Sequence, residues 1–230
     1  MRFRMGHALD VVPRKAEGGA PPAFLPSDLG ANLRLWLEDD AVRYQDAART
    51  SLVTAAGQDI GSWTDSSAGA LHPTAAGAAR PLEPAGRDGA TFDGTKRLTT
   101  PSLGAYAADF FVGMVITPAT LAAGYVRFLE RAPSGGGVYI GTAGSGSEVV
   151  AFVSGAAPPS TAMSTGAKHS IAVERRGTTG RLYLDGALVQ TWTVPATAVP
   201  DAATYVGGPD GGGSALYDGV IHELVIAKDV

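Results

Sequence analysis

Eight residues constrain the fold of this chain more than any others: Leu182-Tyr183-Leu184-Asp185-Gly186-Ala187-Leu188-Val189. Two apolar-rich runs meet at Asp-Gly, and this dipeptide supplies the positive φ that a tight hairpin turn needs to match the twist of its strands. The segment predicts an antiparallel hairpin with Asp185 and Gly186 as the central turn residues. Similar runs of strand length lie at Leu33–Leu37, Phe110 to Thr117, Tyr125 to Glu130, Val138 to Ile140, Glu148 to Val153, Ser170 to Arg175 and Val220 to Ala227. They are rich in β-branched and aromatic residues and are separated by Gly, Pro and Ser, as strands and turns are. No segment sustains a helical period; the Ala clusters near 75–79 and 105–108 support a turn of helix at most. Eight or more short strands with regular turn signals predict an all-β sandwich or jelly roll. Alternation then places Leu182, Leu184, Ile171, Val173, Val225 and Trp63 in a core between two sheets.

Residues 1–30 read differently. They carry Arg2, Arg4, Arg14 and Lys15, followed by Gly18-Gly19-Ala20-Pro21-Pro22 and Pro26. Proline lacks a backbone donor, so this stretch disfavours helix and central strand alike. It is expected to be an extended arm that docks on another protein or on another copy. Phe3, Met5, Leu9, Val11 and Val12 would be its apolar anchors, and Arg2 and Arg4 would meet acidic groups. Residues 31–230 form the globular domain, a length one β domain can fill. With 45% hydrophobic and 17% charged residues, the chain has the composition of a folded domain. It has no Cys, which excludes disulfides and thiolate metal sites. A net charge of −4 gives no footprint for nucleic acid. No stretch approaches the ~18 apolar residues of a membrane span, and Met-Arg-Phe-Arg opens without the apolar run of a signal peptide.

Several segments, in order, resemble one family. Leu33-Arg34-Leu35-Trp36-Leu37 looks like its opening strand. Ile60-Gly61-Ser62-Trp63-Thr64-Asp65-Ser66-Ser67 looks like its "W-x-D-x-S-G" turn, with Ala68-Gly69 where the pattern has an immediate glycine. Thr91-Phe92-Asp93-Gly94-Thr95 followed by Leu98 resembles its "F-D-G" strand. His169-Ser170-Ile171-Ala172-Val173, then Arg181 to Gly186, resembles a paired "H-x-v-x-v … l-Y-v-D-G", and Ala215 to Ile226 fits the closing strand. The chain thus resembles the laminin-G-like, or concanavalin A-like, jelly rolls of bacterial surface proteins and bacteriophage virion proteins, over about residues 31–230. The resemblance implies a non-enzymatic structural or adhesive component of a phage-like virion (head decoration, fibre or tail accessory protein). Such a protein is assembled in the bacterial cytoplasm and can hold host surface glycans. The alternative it implies is a bacterial carbohydrate-binding module, and after that a glycan-active hydrolase.

The residues themselves argue against catalysis. Glycosidases need two carboxylates flanking one bond, ~5–5.5 Å or ~6.5–9.5 Å apart. The dense acidic run is Glu38-Asp39-Asp40, Glu130 and Glu148 stand alone in their strands, and no E-x-D-x-E strand or Gly-x-Ser-x-Gly elbow occurs. His7, His72, His169 and His222 have no metal-ligand spacing. Asp65, Asp93, Asp210 and Asp218 are the loop carboxylates that calcium would use, but such residues in turns more often cap local amides. No cofactor is therefore expected. For sugar binding the candidates are Tyr125, Arg127 and Tyr139, expected on one concave surface of neighbouring strands, together with Trp192 after the hairpin. At 7% aromatic residues, a large sugar platform is not expected.

Overall fold

The computed structural model describes residues 26–106, 109–121, 124–131, 137–144, 146–156, 160–209 and 216–229. The strands, in chain order, are β1 Leu33–Leu37, β2 Arg43–Tyr44, β3 Ser62–Trp63, β4 Ala90–Asp93, β5 Leu98–Thr99, β6 Phe110–Pro118 and β7 Arg127–Arg131. They continue with β8 Val138–Thr142, β9 Glu148–Val153, β10 Thr161–Ala162, β11 His169–Arg176, β12 Thr179–Leu184, β13 Ala187–Thr193, β14 Thr204–Val206 and β15 Asp218–Lys228. The first sheet runs β1-β15-β6-β11-β12-β13, with β4 also on β15; the second runs β10-β9-β8-β7-β14-β5, and β2 and β3 pair separately. Short 3-10 turns at Pro26–Asn32 and Gly77–Ala79 are the helical elements among the described residues. The fold is an all-β jelly-roll sandwich.

Strand β6 shows how the sequence sets the layers. Phe110-Phe111-Val112-Gly113-Met114-Val115-Ile116 is nearly all apolar, as a strand covered on both faces must be. It lies between β15 and β11. Phe110, Val112, Met114 and Ile116 point inward and are buried with Phe128, Ile140, Ala151 and Val206 of the second sheet. Phe111 and Val115 point outward into a small separate cluster with Leu33, Val225, Leu29 and Trp36. Of the expected core residues, Leu182, Ile171, Val173 and Trp63 are fully buried between the sheets. Leu184 is half-buried against that core. Val225 is buried on the other side of the first sheet, because a bulge after Ile221 shifts the register of β15 and reverses which residues face inward.

The hairpin forms as the Asp-Gly pair requires. Leu184 pairs with Ala187, and Asp185 (φ 51°) and Gly186 (φ 80°) both take positive φ. Asp185 tolerates this because its carboxylate is held at both oxygens. The backbone N–H of Ser170 donates to Oδ1 at 2.9 Å, and Oδ2 lies 2.8 Å from His169 Nδ1. Replacing Gly186 by Ile should destabilise the chain by about 1–2 kcal/mol, the cost of forcing an L side chain into a left-handed position. The midpoint of urea unfolding measures it.

Two boundaries differ from the sequence expectation. The stretch from Tyr125 becomes strand only at Arg127, and a bulge between Arg127 and Leu129 interrupts its pairing with β8. At the end of the predicted arm, Pro26–Asn32 forms a 3-10 turn in place of extended chain, with Pro26 buried. Arg2, Phe3, Arg4, Met5, Leu9, Val11 and Val12 lie outside the described residues, so the arm's docking role has no structural counterpart here.

Candidate functional site

The open face of the second sheet gathers the aromatic residues that the sequence offers. Register alone builds a row straight across five strands: Thr99 pairs with Tyr205, Tyr205 with Glu130, Glu130 with Tyr139, and Tyr139 with Phe152. At 4.7–4.9 Å per strand the row is about 19 Å long. Inward-facing neighbours such as Leu98, Leu129, Ile140 and Val153 are buried, which fixes the row on the opposite face.

Ring packing stiffens one end of the row. Tyr139 stacks on Phe152 with centroids 4.3 Å apart and planes 20° from parallel. Tyr125, 55% exposed, meets Phe152 edge-on at 6.5 Å. The Arg127 guanidinium lies over Tyr139, 5.2 Å from its centroid, and its Nη1 donates to Glu130. At the other end Arg97 lies over Tyr205 at 5.5 Å, and its Nη1 donates to the Pro209 carbonyl. Burial against these neighbours pushes the Tyr139 hydroxyl above the ordinary tyrosine range, so it remains a neutral donor and acceptor. The surface therefore offers the exposed Tyr125 ring and fixed guanidinium edges, while the Glu130 carboxylate is buried with its charge balanced by Arg127.

One glycine makes this geometry possible. Beside the row, Gly141 pairs with Arg127, and a Cβ there would lie 2.1 Å from the Val126 carbonyl oxygen. The close approach of the Val126 carbonyl, next to Tyr125, requires glycine at this position. Backbone cannot yield as a side-chain tip can, so Gly141→Ala should displace the Tyr125 segment.

Of the sequence candidates, Tyr125, Arg127 and Tyr139 come together here. Trp192 does not. It lies on β13 of the first sheet, half-buried against the core and packed over Gly180, so it cannot join a surface on the other sheet. The sequence reading missed Phe152, Glu130, Tyr205 and Arg97 as members of this face. Phe152 was recoverable from the alternation Glu148, Val150, Phe152 along β9. Tyr205 was not, because β14 joins β7 across more than seventy residues of chain.

The other polar candidates have local duties. Asp65 is buried and accepts from the backbone N–H of Trp36 (2.9 Å), Ser67 (2.8 Å) and Leu71 (2.8 Å) and from Ser67 Oγ (2.7 Å). Asp93 accepts from Thr95, and Asp218 from Thr120; Asp210 lies outside the described residues. His169 bonds Asp185 and Ser164, and His222 bonds Thr117 and the Asp88 carbonyl. Glu148 accepts from Ser160. It sits four residues along and two strands away from Glu130, a Cα separation of roughly 17 Å by strand geometry.

Comparison with known proteins agrees with the fold. A laminin-G-type family model, described as the concanavalin A-like lectin/glucanases superfamily, matches residues 92–230. No curated protein matches the chain. Among solved structures, a Trypanosoma rangeli sialidase in complex with sialic acid superposes with a TM-score of 0.59 at 17% identity, over 96% of this chain and 34% of that one. The chain thus spans about a third of that sialidase's length. Domain 4 of the extracellular arabinanase AbnA from Geobacillus stearothermophilus, in complex with arabinotriose, gives 0.51 at 16% identity, over 86% of this chain and 92% of that one. Botulinum neurotoxin type C, whose interaction partners include two ganglioside molecules, gives 0.54 at 12% identity, over 90% and 50%. With its family model covering more than half its length, the chain belongs to the concanavalin A-like lectin/glucanase superfamily.

Proposed function

We propose that this protein is a non-enzymatic glycan-binding module whose binding surface is the open face of the second sheet. The observation that carries this reading is the register-aligned row Tyr205–Glu130–Tyr139–Phe152, flanked by Tyr125, Arg127 and Arg97. A sugar ring has apolar C–H faces and a rim of hydroxyls. The exposed Tyr125 ring meets a face, braced by the stacked Tyr139 and Phe152, and Arg127 and the tyrosine hydroxyls meet the rim, the division of labour expected of a site that is largely apolar with a few placed polar groups. The ligands of the structural neighbours support the same class: sialic acid, arabinotriose and gangliosides are all carbohydrates or carry them.

The placement of the two strand glutamates supports the proposal of binding without turnover. A separation of roughly 17 Å between the Glu130 and Glu148 backbones is well beyond the ~5–9.5 Å that a glycosidase uses. The setting we propose is the one the sequence resemblance implies, an adhesive accessory protein of a phage-like particle; mass spectrometry of purified particles tests it. The binding reading is tested on a glycan array. Wild-type protein should retain a defined set of glycans, and Tyr139→Ala should lose them while keeping its circular dichroism spectrum. An array blank for the wild type would overturn the reading.

A further inference from the structure

We infer that the glycan held on the second sheet is acidic, its carboxylate bound by Arg97 at the Tyr205 end of the row. This deepens the glycan reading and rests on it: the row of rings leaves the class of sugar open, and the charge on Arg97 narrows it.

Alternation puts Arg97 on the open face. It directly precedes β5, where Leu98 is buried inward and Thr99, two residues after Arg97, pairs with Tyr205. Three contacts then hold the residue still. Its backbone N–H donates to the Ala79 carbonyl at 2.9 Å, its Nη1 donates to the Pro209 carbonyl at 2.7 Å, and its guanidinium lies 5.5 Å from the Tyr205 ring centroid. A side chain fixed in this way loses little freedom when a ligand arrives, which is the physical basis of preorganised binding.

The charge of Arg97 is the one this row leaves without a counter-charge. Arg127 is paired with Glu130, and the neighbouring Lys96 lies 3.8 Å from Asp93. Among the described residues no carboxylate pairs with Arg97, whose polar contact through the side chain is a neutral carbonyl. Glu148, also on this sheet, stands on β9, four strands and about 19 Å from β5. With Nη1 engaged, Nε and Nη2 form the remaining edge of the guanidinium. That edge has the spacing of the two oxygens of a carboxylate, which it binds in a planar two-point contact. Tyr205 and Tyr139 are two strands apart, about 10 Å. A ligand that meets both Arg97 and the Tyr125 ring is therefore an acidic oligosaccharide and not a single sugar.

The test is a glycan array that carries uronic acid and sialic acid oligosaccharides beside their carboxyl-reduced counterparts, followed by titration of each retained pair. The wild-type chain should hold the acidic member about tenfold more tightly than its reduced partner, the value of one charge-assisted contact. This advantage should shrink as salt is raised, because an exposed ion pair is screened. In Arg97→Gln the ratio of the two affinities should fall to near one. Equal affinity of the wild type for acidic and reduced partners overturns the inference and leaves the glycan reading standing, whereas an array blank for both overturns the two together. An acidic advantage that survives in Arg97→Gln also overturns it, since the carboxylate then sits elsewhere. The comparison of acidic with reduced partners uses the wild-type chain alone, so it decides the matter even where Arg97→Gln disturbs folding.

Discussion

Replacing Glu83 by Ala should destabilise the folded chain by about 3–5 kcal/mol, the loss that follows when one partner of a buried ion pair is removed. Arg43 Nε donates to Glu83 Oε2 at 2.7 Å and Nη2 to Oε1 at 3.0 Å, a two-point contact with side-chain exposures of 3% and 0%. Without Glu83 the guanidinium keeps the carbonyls of Asp39 and Arg87 and the face of the Trp63 ring. Its charge then lies buried with no counter-charge, because nothing in that contact set is anionic. The double replacement Arg43→Met with Glu83→Leu should recover most of the loss, since it removes both desolvation costs together. Urea unfolding of the three variants measures this through the midpoint, provided the slope is unchanged.

Asp65→Ala should cost about 3 kcal/mol or more. Its carboxylate satisfies three backbone N–H groups and one hydroxyl, and each buried donor left without an acceptor costs about 1–3 kcal/mol. These bonds join β1, through Trp36, to the loop of Ser67 and Leu71, so the loss is tertiary as well as local. Asp65→Asn keeps one acceptor oxygen and should fall between wild type and Ala. The same unfolding measurement ranks the three.

The fold was legible in the sequence wherever the signal was local. The Asp185-Gly186 turn, the apolar run of β6 and the alternation of Glu148 to Val153 each depend on residues close together in the chain. The "W-x-D-x-S" segment was legible as a motif, and its physical content is the set of bonds that Asp65 accepts. What failed depended on pairing between distant segments. Val225 was assigned to the inner core because simple alternation cannot register the bulge after Ile221. Trp192 was grouped with the sugar candidates because its sheet membership comes from β12 and not from its own residues. Three of the seven residues of the candidate site, Tyr125, Arg127 and Tyr139, were legible. Tyr205 and Arg97 required knowing that β14 and β5 extend the sheet beyond β7.

The central claim is that glycan is held on the second sheet by the row through Tyr139. Isothermal titration of the strongest array glycan tests it most directly, against wild type, Tyr139→Ala and Leu188→Ala. Leu188 is exposed on the first sheet and serves as the control. A buried aromatic anchor is worth at least ~2 kcal/mol at a binding hot spot, which corresponds to roughly thirty-fold in Kd. The account predicts that loss for Tyr139→Ala and unchanged affinity for Leu188→Ala. Unchanged affinity in Tyr139→Ala, or a loss confined to Leu188→Ala, would contradict it.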